Sequence, residues 1–170
     1  NVLTSQQVGP KILWLKNNRP EIYSKTNKIV NGTGFINFKL TGRYTTDHFS
    51  AAFVSPLYDI NKQNWSDELN DNIVDLEKLP ELVWTDEIIG NITKTASNET
   101  GLAEGTIVTS GTIDAAAEAI SVGVIGTGDM MMMYGSTMFY ILVTDKVLSD
   151  KRLWYSPWLF KGEHSSMGGL

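Results

Sequence analysis

The chain has no cysteine, which removes both a disulfide framework and any thiolate metal site. Histidine is scarce as well: His48 and His164 stand far apart and make no metal-ligand spacing. A basic stripe is missing too. With 14 basic and 19 acidic residues the net charge is −5, which argues against a nucleic-acid partner. Anionic small substrates stay open, because local clusters of amides override net charge. No apolar run is long enough to span a bilayer, since the longest is broken by Gly135, Ser136 and Thr137. No signal peptide is read at the start, which is Asn1 rather than Met, so the expectation is a cytoplasmic protein with no membrane partner. The Asn-x-Ser/Thr tripeptides at Asn31, Asn64, Asn91 and Asn98 accordingly read as chance. Also lacking are the Gly-x-x-x-x-Gly-Lys-Ser/Thr phosphate loop and the Gly-x-Gly-x-x-Gly fingerprint. Gly123, Gly126 and Gly128 are too loosely spaced for either.

What is present is an ordinary globular composition, 42% hydrophobic over 170 residues, enough for one domain with a sizeable core. The first ~100 residues read as mainly helical. Thr4-x-x-Gln7 has the spacing of a capping box, and Pro10 fits the first turn of a helix through KILWLKNN. Pro20 ends that helix and opens another, PEIYSKTNKIV, which Gly32 closes; FINFKLTG follows, with Gly42 as its left-handed cap. Thr46 and Asp47 cap a helix over 48–54, and Trp65 and Ser66 precede a helical stretch to Val74. Residues 79–82 read as a loop, and 93–100 as a helix closed by Gly101. Beyond that the pattern changes. Residues 106–110 are a short β-rich run, 114–123 an Ala-rich helix ending at Gly123, and the apolar runs 129–134 and 138–144 are spaced as a hairpin with a three-residue loop. The first of these runs is apolar on both faces, as in a strand inside a layered sheet, and Lys151 onward reads as loop. The expected fold class is α/β: a helical first half, then strand, helix and hairpin. Too few strands are available to complete a parallel sheet, so exposed edges would favour self-association, a homo-oligomer included.

Asp114 is the leading candidate for chemistry. It follows a strand and the Gly111-Thr112 turn, and the Ala-rich helix begins just after it. As a helix cap an aspartate stabilises by about 1 kcal/mol. As a carboxylate at a strand end, beside the positive end of a helix, it can accept a hydroxyl proton. Both readings stay open, and they are compatible. Gly135, Ser136 and Thr137 are the second candidate, since a hairpin loop with outward amides can hold phosphate oxygens; a plain turn is the other reading. The methionines at 130–133 read as core rather than a soft-metal site, with no Cys or His beside them. Trp14, Tyr23 and Phe38 read as core aromatics. Glu118, one turn beyond Asp114, is either a solvated helix residue or a partner carboxylate. Asp47, His48 and Ser50 superficially suggest a hydrolase, but neighbours in sequence rarely make a triad. No metal-binding residue is read from the chain.

Taken in order, GPKILWLKNNRPEIYSKT, FKLTGRYTTDHFSAA, YDINKQNWSDEL, LPELV, IIGNITKTASNETGLAEGTIV, GTIDAAAEAISVGV, GDMMMMYGSTMF and a terminal Gly-Gly resemble the FGGY family of carbohydrate kinases, nearest its xylulokinase branch. The resemblance implies an actin/ribonuclease-H-like sugar kinase fold, two α/β domains closing over a cleft for ATP and a sugar. By it, residues 1–125 match the later half of the N-terminal, sugar-binding domain, and 126–170 the start of the C-terminal, ATP-binding domain. Asp114 falls on the family's catalytic base, which takes the proton from the substrate hydroxyl that attacks the γ-phosphate. Gly135, Ser136 and Thr137 fall on the turn that approaches the nucleotide phosphates. The family usually carries Asn or Gln after the base, where this chain has Ala115, and Gly-Thr-Ser or Gly-Thr-Gly at the turn, where it has Gly-Ser-Thr. The implied activity is ATP-dependent phosphorylation of a ketopentose such as xylulose, with Mg²⁺ supplied by parts outside this chain. By itself the chain is expected to be inactive. The alternatives are a kinase for glycerol, gluconate or ribulose, and a non-catalytic actin-like sensor or assembly module.

Overall fold

Pro20 sets the first boundary of the fold. In the computed structural model, which describes residues 7–68, 70–148, 150 and 152–169, helix α1 (Val8–Asn18) ends just before it and α2 (Pro20–Lys25) begins at it. The proline ring pre-sets helical φ and has no N–H to leave unpaired at a first turn. Thr4 of the expected capping box lies outside the described residues, and Gln7 stands at the cap position of α1 without a side-chain cap bond. Helix α2 is shorter than its sequence suggests. It stops at Lys25, and Asn31 then caps α3 (Gly32–Thr41) by accepting from Gly34 N at 2.7 Å. Gly32 therefore opens a helix rather than closing one, whereas Gly42, at φ 81°, is the expected left-handed cap. Of the three aromatics expected inside, Tyr23 is buried, Phe38 is half-buried and stacked on Tyr44 at 4.0 Å, and Trp14 is exposed. Ile12 is the residue α1 buries instead, against Tyr23, Leu57, Ile73, Val74 and Leu79.

Strand β1 (Thr45–Asp47) is buried along its length and leads straight into α4 (His48–Ala52). Asp47 caps that helix as expected, its Oδ2 accepting from Ser50 N at 3.1 Å. A small hairpin of β2 (Tyr58–Asp59) and β3 (Asn64–Trp65) and the short α5 (Asn70–Ile73) follow. Strand β4 (Glu81–Val83) pairs parallel with β1, Thr45 beside Glu81 and Asp47 beside Val83. These are residues the sequence presents as loop. Three residues are too few to show an alternation, and pairing to β1 is what makes them a strand. Strands β5 (Ile88–Asn91) and β6 (Ile107–Thr109) pair antiparallel on either side of α6 (Lys94–Thr100). Gly101 closes α6 as expected, left-handed at φ 80°, and Thr93, expected as its first residue, is its cap instead, Oγ1 accepting from Ala96 N.

Helix α7 (Asp114–Ser121) leads into one antiparallel sheet made of β7 (Met130–Tyr134), β8 (Met138–Thr144), β9 (Trp154–Pro157) and β10 (His164–Gly169), in the order β7-β8-β10-β9. The β7–β8 hairpin is the expected one. The last two strands replace an expected loop, because their Ser, Gly and Pro content has little strand propensity of its own. Pairing creates them: β10 lies against β8, from His164 beside Thr144 to Gly169 beside Phe139, and β9 lies against β10, from Pro157 beside His164 to Trp154 beside Met167. Gly168 permits the close approach, since a Cβ there would meet the ring of its cross-strand neighbour Tyr140 at 2.7 Å. Strand β7 lies at the sheet edge rather than in its interior. Met131 is buried, while Met130, Met132, Met133 and Tyr134 are exposed.

A second core joins α4, α7 and this sheet through Phe49, Ala116, Ala119, Met131, Ile141, Trp158 and Met167. Trp158 is its largest member; it sits edge-on to Phe49 at 5.6 Å and donates Nε1–H to Ile125 O at 2.9 Å. The connection from α7 to β7 is pinned as well. Asp129 Oδ2 accepts from Ile125 N and Gly126 N, and Glu163 Oε1 accepts from Thr127 N. The Gly126 and Ile125 amides hold the Asp129 carboxyl below its ordinary value. Among the described residues no helix is long and apolar enough to cross a membrane.

Candidate active site

The segment 110–113 carries the chain from β6 to Asp114, and it is held by neighbours rather than by a strand ladder. Ser110 N donates to Glu87 O at 3.1 Å, and Gly111 N to Thr85 O at 3.2 Å. Asn37 Nδ2 of α3 donates to Ser110 O at 2.9 Å. Thr112 Oγ1 donates to Asp47 Oδ2 at 3.0 Å, and Thr33 Oγ1 donates to Thr112 O at 3.3 Å. A segment this well covered needs partners for its backbone groups, and these supply them. Gly111 turns the chain at φ 66°, a left-handed conformation that favours glycine.

Ile113 occupies the cap position of α7 at φ −79° and ψ 165°, and its side chain packs against the second core. Asp114 is thus the first helical residue, not the side-chain cap that local sequence suggests. It is exposed, and its Oδ1 accepts from Ala115 N at 2.7 Å. Among the described residues Oδ2 has no partner, so one carboxylate oxygen is free to accept a proton or a substrate hydroxyl. Glu118 is exposed and forms no ion pair among the described residues, consistent with the solvated reading.

Gly135, Ser136 and Thr137 form the β7–β8 turn and are exposed throughout. Gly135 N is taken up by Thr137 O at 3.0 Å, while both hydroxyls are open to solvent. No hydrogen bond or ion pair joins this turn to Asp114 among the described residues. What relates them is the second core, in which Ala116 and Ala119 of α7 lie with Met131 and Ile141 of the hairpin. Among the described residues no group of three or more His, Asp or Glu gathers as a metal site.

Asp47, His48 and Ser50 form no triad. His48 Nδ1 meets Tyr58 OH at 2.8 Å, and the Asp47 carboxylate meets Ser50 N and Thr112 Oγ1. Burial raises the Asp47 pKa; Ser50 opposes this through its amide bond and a nearby hydroxyl outside good bonding geometry, and Thr112 opposes it too. Burial lowers that of His48, against the attraction of Glu87. Sequence reading overlooks Thr112. Its position two residues before Asp114 was the available signal, but nothing local reveals that its partner lies 65 residues earlier.

The description "FGGY family of carbohydrate kinases, N-terminal domain" matches residues 1–121. The xylulose kinase of Lactococcus lactis subsp. lactis strain IL1403 is 37% identical over 117 residues, which cover 68% of this chain and 23% of that protein. The autoinducer-2 kinase of Enterobacter sp. strain 638 is 28% identical over 142 residues, 83% of this chain and 27% of that protein. The chain thus spans about a quarter of the length of these relatives. The crystal structure of xylulose kinase from Rhodospirillum rubrum superimposes with a TM-score of 0.90 at 24% identity, over 98% of this chain and 34% of that one. This places the chain in the actin-like sugar kinase fold.

Proposed function

Because the chain belongs to the FGGY family of carbohydrate kinases, we propose that the whole protein transfers the γ-phosphoryl group of ATP to a sugar hydroxyl, with D-xylulose as substrate. The observation that carries this reading is Asp114, an exposed carboxylate at the start of α7 with one oxygen unpaired, fixed by a tightly held segment. Asp114 accepts the proton of the sugar hydroxyl as the hydroxyl oxygen bonds to the γ-phosphorus and the bond to the β,γ-bridging oxygen breaks, releasing ADP, which is the task a positioned carboxylate performs in this chemistry. The Gly135–Thr137 turn offers hydroxyl donors to the phosphate oxygens, and Ala115 leaves room beside the base where a larger polar side chain would reach the sugar. Bound ATP supplies the phosphoryl group, and Mg²⁺ neutralises phosphate charge.

In the whole protein, residues 1–125 belong to the sugar-binding domain and 126–170 open the ATP-binding one, in a cytoplasmic enzyme. Phosphoryl transfer depends almost wholly on positioning, so the chain alone is inactive. Autoinducer-2 is the second candidate substrate, favoured by the similarity to autoinducer-2 kinases; glycerol, gluconate and ribulose complete the set. The test is ATP-dependent phosphorylation of this panel by the whole protein and by its Asp114→Asn variant. Turnover on D-xylulose that falls by about three orders of magnitude in the variant is expected, within the range for a general base. Preferred turnover on another member moves the substrate, equal rates in both proteins remove Asp114 as base, and no turnover on any sugar with ATP still bound returns the sensor reading.

A further inference from the structure

We propose that Thr112 is a positioning residue that fixes the direction of the Asp114 carboxylate, through its hydrogen bond to the buried Asp47. The inference rests on the reading of Asp114 as the base. Thr112 is held at its side chain and its carbonyl: its hydroxyl donates to Asp47 Oδ2 at 3.0 Å, and its carbonyl accepts from Thr33 Oγ1 at 3.3 Å. The next residue, the half-buried Ile113, packs against the second core, so the chain is held on both its polar and its apolar side immediately before Asp114. Among the described residues the Asp114 side chain makes one bond, to Ala115 N, and that bond sets a rotamer without fixing the segment before it.

The same clamp ties α3 and β1 to the segment. Asn37 Nδ2 donates both to Ser110 O at 2.9 Å and to Thr45 Oγ1 at 3.1 Å. Gly34 lets α3 approach β1, for a Cβ there would lie 2.7 Å from Thr45 O. Asp47 is 1% exposed, and its Oδ1 has no partner. A cap of α4 alone would be served by an uncharged Ser or Asn at the surface. Burying a carboxylate costs stability unless its bonds return a defined geometry. Its second bond goes to Thr112, and the geometry it defines is that of the residues leading to Asp114.

The test uses the whole protein with ATP and D-xylulose, and compares wild type, Thr112→Val, Thr112→Ser and Asp114→Asn. Valine keeps the β-branch and removes the hydroxyl; serine keeps the hydroxyl. Thr112→Val is expected to lower kcat about 10- to 100-fold with both KM values nearly unchanged, the size of effect that misplacing a reacting group by a fraction of an ångström to one ångström produces. Thr112→Ser should recover most of it, and the amides of residues 113–116 should exchange faster in the valine variant alone. A wild-type kcat in Thr112→Val, with Asp114→Asn inactive, overturns the positioning role and leaves the base reading standing. Equal losses in the valine and serine variants, tracking a fall in unfolding midpoint, reduce Thr112 to a packing residue. Wild-type turnover in Asp114→Asn overturns the base reading and this inference with it.

Discussion

Asp47 shows how one side chain serves two elements and what that costs. Its carboxyl sits above the ordinary aspartate value because burial outweighs the bonds from Ser50 and Thr112. A raised carboxyl binds a proton more readily in the folded than in the unfolded state. Its contribution to stability is therefore greatest below about pH 4 and falls as pH rises through the raised value. Asn at this position keeps a cap acceptor and cannot ionise. Apart from any constant offset, the unfolding midpoint of Asp47→Asn should gain on wild type as pH rises from about 4 through the raised value. Parallel curves would mean that the carboxylate is compensated in the fold. Asp114, by contrast, was legible as a residue of interest from its place between a Gly-turn and a helix. Which role it plays at that helix start was not, because a one-residue shift between Ile113 and Asp114 decides who caps.

At the scale of elements, the caps were the readable part. Asp47, Gly42 and Gly101 each mark a helix end where the sequence puts it, since capping chemistry is local. Strands were readable only where they are long and apolar. The β7–β8 hairpin could be placed, but not which face of β7 is covered. Four methionines in a row carry no alternation, and the edge position of β7 depends on β10 pairing with β8 instead. That placement gives a sharp contrast within one strand. Met131→Ala, in the second core, should cost about 2–5 kcal/mol in chemical denaturation, whereas Met132→Lys on the exposed side should stay within about 0.5 kcal/mol. A large loss from Met132→Lys would show that the edge is covered.

At the scale of the whole molecule there are two cores, and the four-stranded sheet over the second has β7 at one edge and β9 at the other. Exposed Met130, Met132, Met133 and Tyr134 on an unpaired edge make a template for association. The 170-residue chain on its own should therefore scatter light as more than a monomer at about tens of micromolar, and Met132→Lys should shift it toward monomer, as edge lysines do. A strictly monomeric chain would place the apolar edge out of reach of a partner.

By itself the sequence determined the family, the helix ends at Gly42, Asp47 and Gly101 and the hairpin, and it singled out Asp114 and Gly135–Thr137. These rest on contacts within a few residues, or on ordered motifs along the chain. Tertiary structure alone decided that residues 81–83 are a strand beside β1 and that 154–157 and 164–169 complete a sheet. It also decided that Thr112 hangs from Asp47. The β1–β4 pairing and the Asp47–Thr112 bond join groups far apart in sequence, and none of the three strands carries a periodicity from which its partner could be read. A hydrogen bond across 65 residues leaves no local signature, because either end is satisfied equally well by a turn or by water until the core closes around it.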